Sequence, residues 1–128
     1  MDVWAMPLPA TDAMVPAARI GVRQFLAGHP LAFDAELVAS ELVTNAVRYS
    51  RGPDITVEVM RKSDVVRIEV TDHGSHTAPR AGTSAYGDEG GRGLLLVNEL
   101  AAEWGHKGVD DQWMTVWAEL VVDTEGPR

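Results

Sequence analysis

Hydrophobic positions along the chain follow two rhythms, and their order predicts a mixture of helices and strands. Between Pro16 and Ala27, the residues Ala17, Ile20, Val22, Phe25 and Leu26 keep helical spacing, and Gly28-His29-Pro30 stops the run. Phe33 to Tyr49 gives the clearest helix. Phe33, Leu37, Val38, Leu42, Val43, Ala46 and Val47 form its broad apolar stripe, Asp34, Glu36 and Glu41 bring acid towards its first half, and Ser50-Arg51-Gly52-Pro53 ends it. Ile55, Val57 and Val59 then alternate with Thr56, Glu58 and Met60, and Val66, Ile68 and Val70 with Arg67, Glu69 and Thr71. The polar turn Arg61-Lys62-Ser63-Asp64 between them predicts two paired strands. Leu94 to Glu103 returns to helical spacing, Trp104 to Lys107 reads as a short strand, and Met114 to Val122 alternates as another. Val3 to Leu8 is also strand-like, and Pro7 and Pro9 assign it to an edge. From Asp72 to Arg92 there is no period, only a loop of about twenty residues rich in Gly, Ser, Thr, Pro and Ala, a length that points to a functional lid. The order βα-α-ββ-lid-α-ββ predicts an α+β fold, a two-layer α/β sandwich with helices on one face of a mixed, mostly antiparallel sheet.

Length and charge narrow the function. A chain of 128 residues fits a single domain over 1–128, with a frayed tail at about 123–128. The balance of 11 Lys+Arg against 19 Asp+Glu, a formal charge of −8, argues against direct nucleic-acid binding, which draws most of its affinity from basic side chains. The absence of cysteine removes disulfides and thiolate metal sites. No apolar run approaches the roughly 20 residues of a membrane helix, and the N-terminus has no signal-peptide pattern, so the expectation is a cytoplasmic protein.

Three segments carry candidate chemistry. Glu41 and Asn45 stand four apart on the long helix and so share a face. Asn45 offers an amide oxygen of the kind Mg²⁺ accepts beside phosphate and water, and Glu41 a base for an attacking hydroxyl; such pairs also occur on solvated helix faces. Asp72 ends the second inner strand as V-T-D-H-G with the parity of Val66, Ile68 and Val70, which turns it towards the core. A carboxylate there needs a donor, such as an exocyclic amine, or else the backbone N–H groups of a turn. Gly90-Gly91-Arg92-Gly93-Leu94 precedes a predicted helix, where backbone N–H groups favour an anion, though glycines also make hinges. A dinucleotide fingerprint lacks its third glycine, no Walker A string is present, and His29, His73, His76 and His106 do not make a zinc spacing. Ser50, Ser75 and Ser84 lack the context of a nucleophile elbow.

In order and spacing, E-L-V-T-N-A, V-T-D-H-G, G-G-R-G-L-L-L-V and T-V-W-A-E-L together resemble the GHKL ATPase superfamily with its Bergerat fold. The likeness is to the small anti-sigma-factor serine kinases of the RsbW and SpoIIAB type, over about Val15 to Leu120. It implies ATP and Mg²⁺ as cofactors, with Asn45 as the metal ligand and Glu41 as the base. It assigns Asp72 to the adenine amine, with Gly74 beside the ring and Thr115 assisting through a hydroxyl or water. The stretch 75–92 would be the ATP lid, with Gly91, Arg92, Gly93 and Leu94 at the phosphates. The implied function is phosphoryl transfer to a serine of an anti-sigma-factor antagonist, together with sequestration of a sigma factor; the alternative is a catalytically silent nucleotide-binding module for partner interaction. A sensor histidine kinase would bring a dimerisation helix with a phospho-accepting histidine, which does not appear in the sequence.

Two departures from the family pattern bear on the pocket. The helix ends in Val47-Arg48-Tyr49-Ser50 rather than His-Gly, and Trp113-Met114 stands where many relatives carry Gly-Lys. If Thr115 faces the pocket, so do Trp113 and Trp117, and Met114, Val116 and Ala118 would face outwards as an apolar surface suited to a homodimer.

Overall fold

The computed structural model describes residues 1–50, 52–73, 89–109 and 112–123, with backbone alone at 89–94. Its strands are β1 (Asp2–Pro9), β2 (Asp54–Arg61), β3 (Val65–His73), β4 (Glu103–Val109) and β5 (Trp113–Val121). Its helices are α1 (Met14–Phe25), α2 (Ala32–Tyr49) and α3 (Glu89–Leu100). The strands form one sheet in the order β1-β2-β3-β5-β4, antiparallel at every pairing. Pro7 and Pro9 sit opposite Thr56 and Asp54. A residue without an N–H fits only where the ladder asks nothing of its nitrogen, so these prolines hold β1 at the outside of the sheet.

One face of the sheet is the core face. Ile55, Val57 and Val59 on β2, Val66, Ile68 and Val70 on β3, and Met114, Val116, Ala118 and Leu120 on β5 are buried and in register. Val22, Leu26, Val38, Leu42 and Val43 of the α1–α2 region complete the same buried cluster. The result is the expected two-layer α+β sandwich.

The expectation that Met114, Val116 and Ala118 face outwards is corrected here: they are 3%, 8% and 0% exposed, and they lie under the helices. The physical reason is register. Leu120, Ala118 and Val116 pair with Val66, Ile68 and Val70, and cross-strand partners share a face. The opposite face of β3 and β5 carries Arg67, Glu69 and Thr71 beside Thr115, Trp117 and Glu119. There the Arg67 guanidinium stacks 4.2 Å above the Trp117 ring and donates to Glu69 at 2.7 Å and Glu119 at 3.4 Å.

The helix expected from Leu94 begins earlier, at Glu89, and closes at Leu100, leaving Glu103 to open β4. Gly90, Gly91 and Gly93 thus lie inside its first turns. Each glycine weakens a helix by about 1 kcal/mol relative to alanine. Tertiary packing overrides that propensity, anchored on the fully buried Val97. The remainder of the expected lid, 75–88, and the tail beyond 123 lie outside the described residues.

The α1–α2 connection is tied to the β2–β3 turn by a histidine in a defined tautomer. The Leu31 N–H donates to His29 Nδ1 at 3.0 Å, so Nε2 carries the proton and donates to the Lys62 carbonyl at 2.7 Å.

Candidate functional site

The candidate residues lie on the second half of α2 and at the end of β3, two elements that pack against each other. Leu42, Val43 and Ala46 hold that half of the helix on the core, so the polar positions interleaved with them are carried into the same interface. Asn45 is 4% exposed, and its amide Nδ2 has no hydrogen-bond partner among the described residues. A buried donor without an acceptor costs about 1–3 kcal/mol, and native proteins rarely tolerate one without a use for it. Glu41, one turn earlier on the same face, is half-buried. Thr44, between them, is committed locally: its hydroxyl donates to the Ser40 carbonyl at 2.7 Å.

Asp72 is 5% exposed at the end of β3, on the core face as its parity predicts, and is engaged with a protein partner. A single row of cross-strand partners runs through it: Leu8, Ile55, Asp72, Met114 and Gly108. Gly108 has φ +155°, and a Cβ there would lie 2.3 Å from the Trp113 carbonyl oxygen, so the row has no side chain beyond Met114. Asp72 is accordingly an acceptor set between Ile55 and a thioether.

The loop after α2 presses on this end of β3. A Cβ on Gly52 would stand 1.9 Å from the His73 carbonyl oxygen, so only glycine permits the approach, and the Gly52 N–H is turned back onto Ser50 Oγ at 3.2 Å. This close contact fixes where the α2–β2 connection passes beside Asp72. Nothing in the sequence pattern singled out Gly52, since a Gly-Pro pair after a helix signals only a stop.

Thr115 does not join the site. Its hydroxyl lies 2.6 Å from that of Thr71 on the opposite face of the sheet, where the two satisfy each other. Since Thr71 pairs with Thr115 and Asp72 with Met114, alternation separates Thr115 from Asp72 by the thickness of the sheet. Trp113 and Trp117 share the Thr115 parity and leave the pocket with it. The signal for Met114 was present in the sequence: Met114, Val116, Ala118 and Leu120 form an unbroken apolar alternation, whereas Thr115 alternates with Glu119.

Gly74 lies outside the described residues, and Gly91, Arg92, Gly93 and Leu94 are placed only as backbone within α3. The structure therefore buries Asn45 on α2 and Asp72 on β3, two elements packed against each other, leaves Glu41 half-buried on the face of Asn45, and removes Thr115. A cavity of about 730 Å³ lies elsewhere, at the β2–β3 turn beside His29 and Arg61. Its arginine is committed to Asp2 at 2.7 Å and to the Phe25 carbonyl, and the opposite end of β2 separates it from Asp72.

Comparison with known proteins places this arrangement. The model of the histidine kinase-like ATPase domain matches residues 8–119, which take in all three helices, β2, β3, β4 and most of β5, and only the last two residues of β1. The chain belongs to that family. Its fold is also similar to part of full-length ShkA, whose crystal structure holds AMPPNP, with a TM-score of 0.59 and 18% identity over 94% of this chain. The chain spans 31% of the length of ShkA. No curated protein matches the sequence significantly. Among the described residues, no helix is long and apolar enough to cross a membrane.

Proposed function

We propose that this histidine kinase-like ATPase domain binds Mg-ATP between α2 and the end of β3. We further propose that it acts as an anti-sigma factor and serine kinase, phosphorylating an anti-sigma-factor antagonist and sequestering a sigma factor. The amide nitrogen of Asn45 carries the nucleotide reading: a buried N–H donor with no partner among the described residues, one turn from a half-buried carboxylate, is one that a phosphate oxygen would complete. The motif ensemble around Glu41, Asp72 and Gly91–Gly93 supports the finer assignment to serine phosphorylation and partner switching.

The residues fit a nucleotide-borne metal. Among the described residues no three acidic or histidine side chains converge into a metal cage. Mg²⁺ accompanying a triphosphate needs none, because it keeps waters and phosphate oxygens and takes only one or two protein ligands. Asn45 would hold it. When bound, Mg²⁺ neutralises phosphate charge, which an acidic chain supplies poorly by itself.

The chain's own groups have separate tasks. Asp72 accepts a hydrogen bond from the adenine amine and sets the depth of the base. Glu41 takes the proton of the serine hydroxyl as its oxygen bonds to the γ-phosphorus. The bond to the β–γ bridging oxygen breaks and ADP leaves. Arg48, on the last turn of α2, and Arg92, in α3, are candidate protein cations for the phosphates.

Calorimetric titration with ATP, with and without Mg²⁺, tests the nucleotide reading. Saturable Mg-dependent binding that is lost in Asn45→Ala and retained in Glu41→Ala is the expected result. With radiolabelled ATP and an antagonist protein, Glu41→Ala should lose phosphoryl transfer at least about 100-fold. Tight binding without transfer by the wild type would leave a silent nucleotide-binding module; no binding by folded protein would overturn the nucleotide site.

A further inference from the structure

We propose that β1 is a pairing edge for a second copy of this chain: Val3 to Ala5 pair antiparallel with the same stretch of the partner, and two five-stranded sheets join into one continuous sheet. The surface around Met114 and Ala118, expected from the sequence to carry a homodimer, is buried beneath the helices. The pairing therefore uses a different part of the molecule, and it does not depend on the nucleotide reading.

Alternation within β1 decides which of its backbone groups face outwards. Along an antiparallel ladder, successive residues turn their N–H and C=O towards the neighbouring strand and then away from it. The β1–β2 register runs on to Ala10, whose N–H donates to the Pro53 carbonyl at 2.9 Å. Asp2, Trp4, Met6 and Leu8 share the parity of Ala10 and face β2, so Val3, Ala5, Pro7 and Pro9 face the outer edge. Pro7 and Pro9 have no N–H to offer there, and the Pro9 carbonyl already accepts from the Thr11 N–H at 2.9 Å. The second half of the edge is closed in this way. In the first half Val3 and Ala5 each turn an N–H and a C=O outwards, and among the described residues β2 is the one strand that pairs with β1.

Natural edge strands are guarded by charge, a bulge or proline, and here the guard covers only half the strand. From Val3 to Ala5 there is no charged residue, Val3 is 55% exposed, and the Asp2 carboxylate is drawn to Arg61 at 2.7 Å. A second β1 fits because the match is mutual. About a two-fold axis at Trp4, Val3 lies opposite Ala5 of the partner subunit and exchanges both N–H···O bonds with it, and the axis repeats the pair. Both outward donors are then answered, and the prolines of each copy fall outside the paired stretch. A longer strand from another protein would carry its pairing on past Pro7 and Pro9, where its carbonyls meet no donor. An interface of so few residues is small, and the dimer dissociates on dilution.

Sedimentation velocity on the full chain over about a hundredfold range of protein concentration tests the pairing. The wild-type mass should rise from one chain towards two. Ala5→Pro removes an outward N–H, as Pro7 and Pro9 already do, so it should stay folded by circular dichroism and monomeric throughout. Val121→Lys places a charge on the open face of the sheet, at a residue 47% exposed on β5 and separated from β1 by β2 and β3; it should dimerise like the wild type, which separates edge pairing from stacking of sheet faces. In a mixed-label sample, isotope-filtered NOEs should connect Val3 of one chain with Ala5 of the other. A wild type that is monomeric at every concentration would overturn the proposal, as would undiminished dimerisation of folded Ala5→Pro or its loss in Val121→Lys. An Ala5→Pro chain that fails to fold would overturn it too, by showing that this N–H serves β2.

Discussion

The two halves of α2 each bury a polar side chain, and they treat it in opposite ways. In the first half Glu36, 8% exposed, accepts four hydrogen bonds: Arg23 donates through Nε at 2.8 Å and Nη2 at 2.7 Å, and Arg19 through Nε at 3.3 Å and Nη2 at 3.2 Å. In the second half Asn45 is buried as deeply, and its amide nitrogen has no partner among the described residues. One helix thus carries a polar group completed within the fold and another that none of the described residues completes. Burial alone does not mark a functional residue; burial with an unmet hydrogen bond does. Glu36 fastens α1 to α2, and Asn45 is the residue proposed to meet a ligand.

The sharpest way to break this contrast is at Asn45. Asn45→Ala should weaken Mg-ATP binding by about 30- to 100-fold, the worth of a hydrogen bond to a charged group, while its thermal midpoint stays at or slightly above that of the wild type. A fall in stability with unchanged affinity, measured by calorimetry and thermal melts, would make Asn45 structural like Glu36 and erase the difference between the halves.

Gly52→Ala comes next. The new Cβ would collide with the His73 carbonyl oxygen, and the forced shift should lower stability by about 1–3 kcal/mol. It should also weaken nucleotide binding, because the displaced strand end carries Asp72. Chemical denaturation and ATP titration on the same variant check both.

At the other end, Glu36→Ala should cost about 1–2 kcal/mol in urea denaturation and leave the affinity for ATP within about twofold. The loss stays moderate because both arginines remain accessible to water, with side chains 43% and 60% exposed.

The smallest effect is the pH dependence of the same lock. The Arg23 hydrogen bonds, which outweigh the opposing effect of burial, hold the Glu36 carboxyl below the ordinary glutamate value of 4.5. A carboxylate depressed in the folded state binds fewer protons there than when unfolded, so its stabilisation is complete above that ordinary value and is lost as pH falls through the folded one. The gap in urea midpoint between wild type and Glu36→Gln should therefore hold steady from pH 7 to about 5 and close below pH 4. A gap that widens in acid would remove the lock as an explanation.

The order of elements was legible because the patterns were strong. The α2 stripe, the alternation of β2 and β3 and the prolines of β1 each point to one structure, and each was found. The start of α3 was not legible: Gly90, Gly91 and Gly93 disfavour a helix locally, and only contact with the rest of the domain holds them in one. Of the candidate site, Glu41 and Asn45 could be placed together from their spacing and Asp72 from its parity. Thr115 was misplaced because β5 carries large apolar residues on both of its faces, Trp113 and Trp117 on one and Met114 and Val116 on the other. A period of two separates the faces of a strand without saying which is inside.

By itself, then, the sequence determined the elements, the edge strand, the family motifs and the candidate residues on α2 and β3 proposed to meet a nucleotide. These follow from periodicity and local chemistry, which a linear chain carries in full. The tertiary structure alone decided that Met114 rather than Thr115 stands beside Asp72, that Gly52 must press on His73, and that the amide of Asn45 is left unmet while Glu36 is completed. Each of those depends on which distant segments arrive at the same place, and pairing register and packing are properties of the assembled sheet and helices rather than of any one stretch of chain.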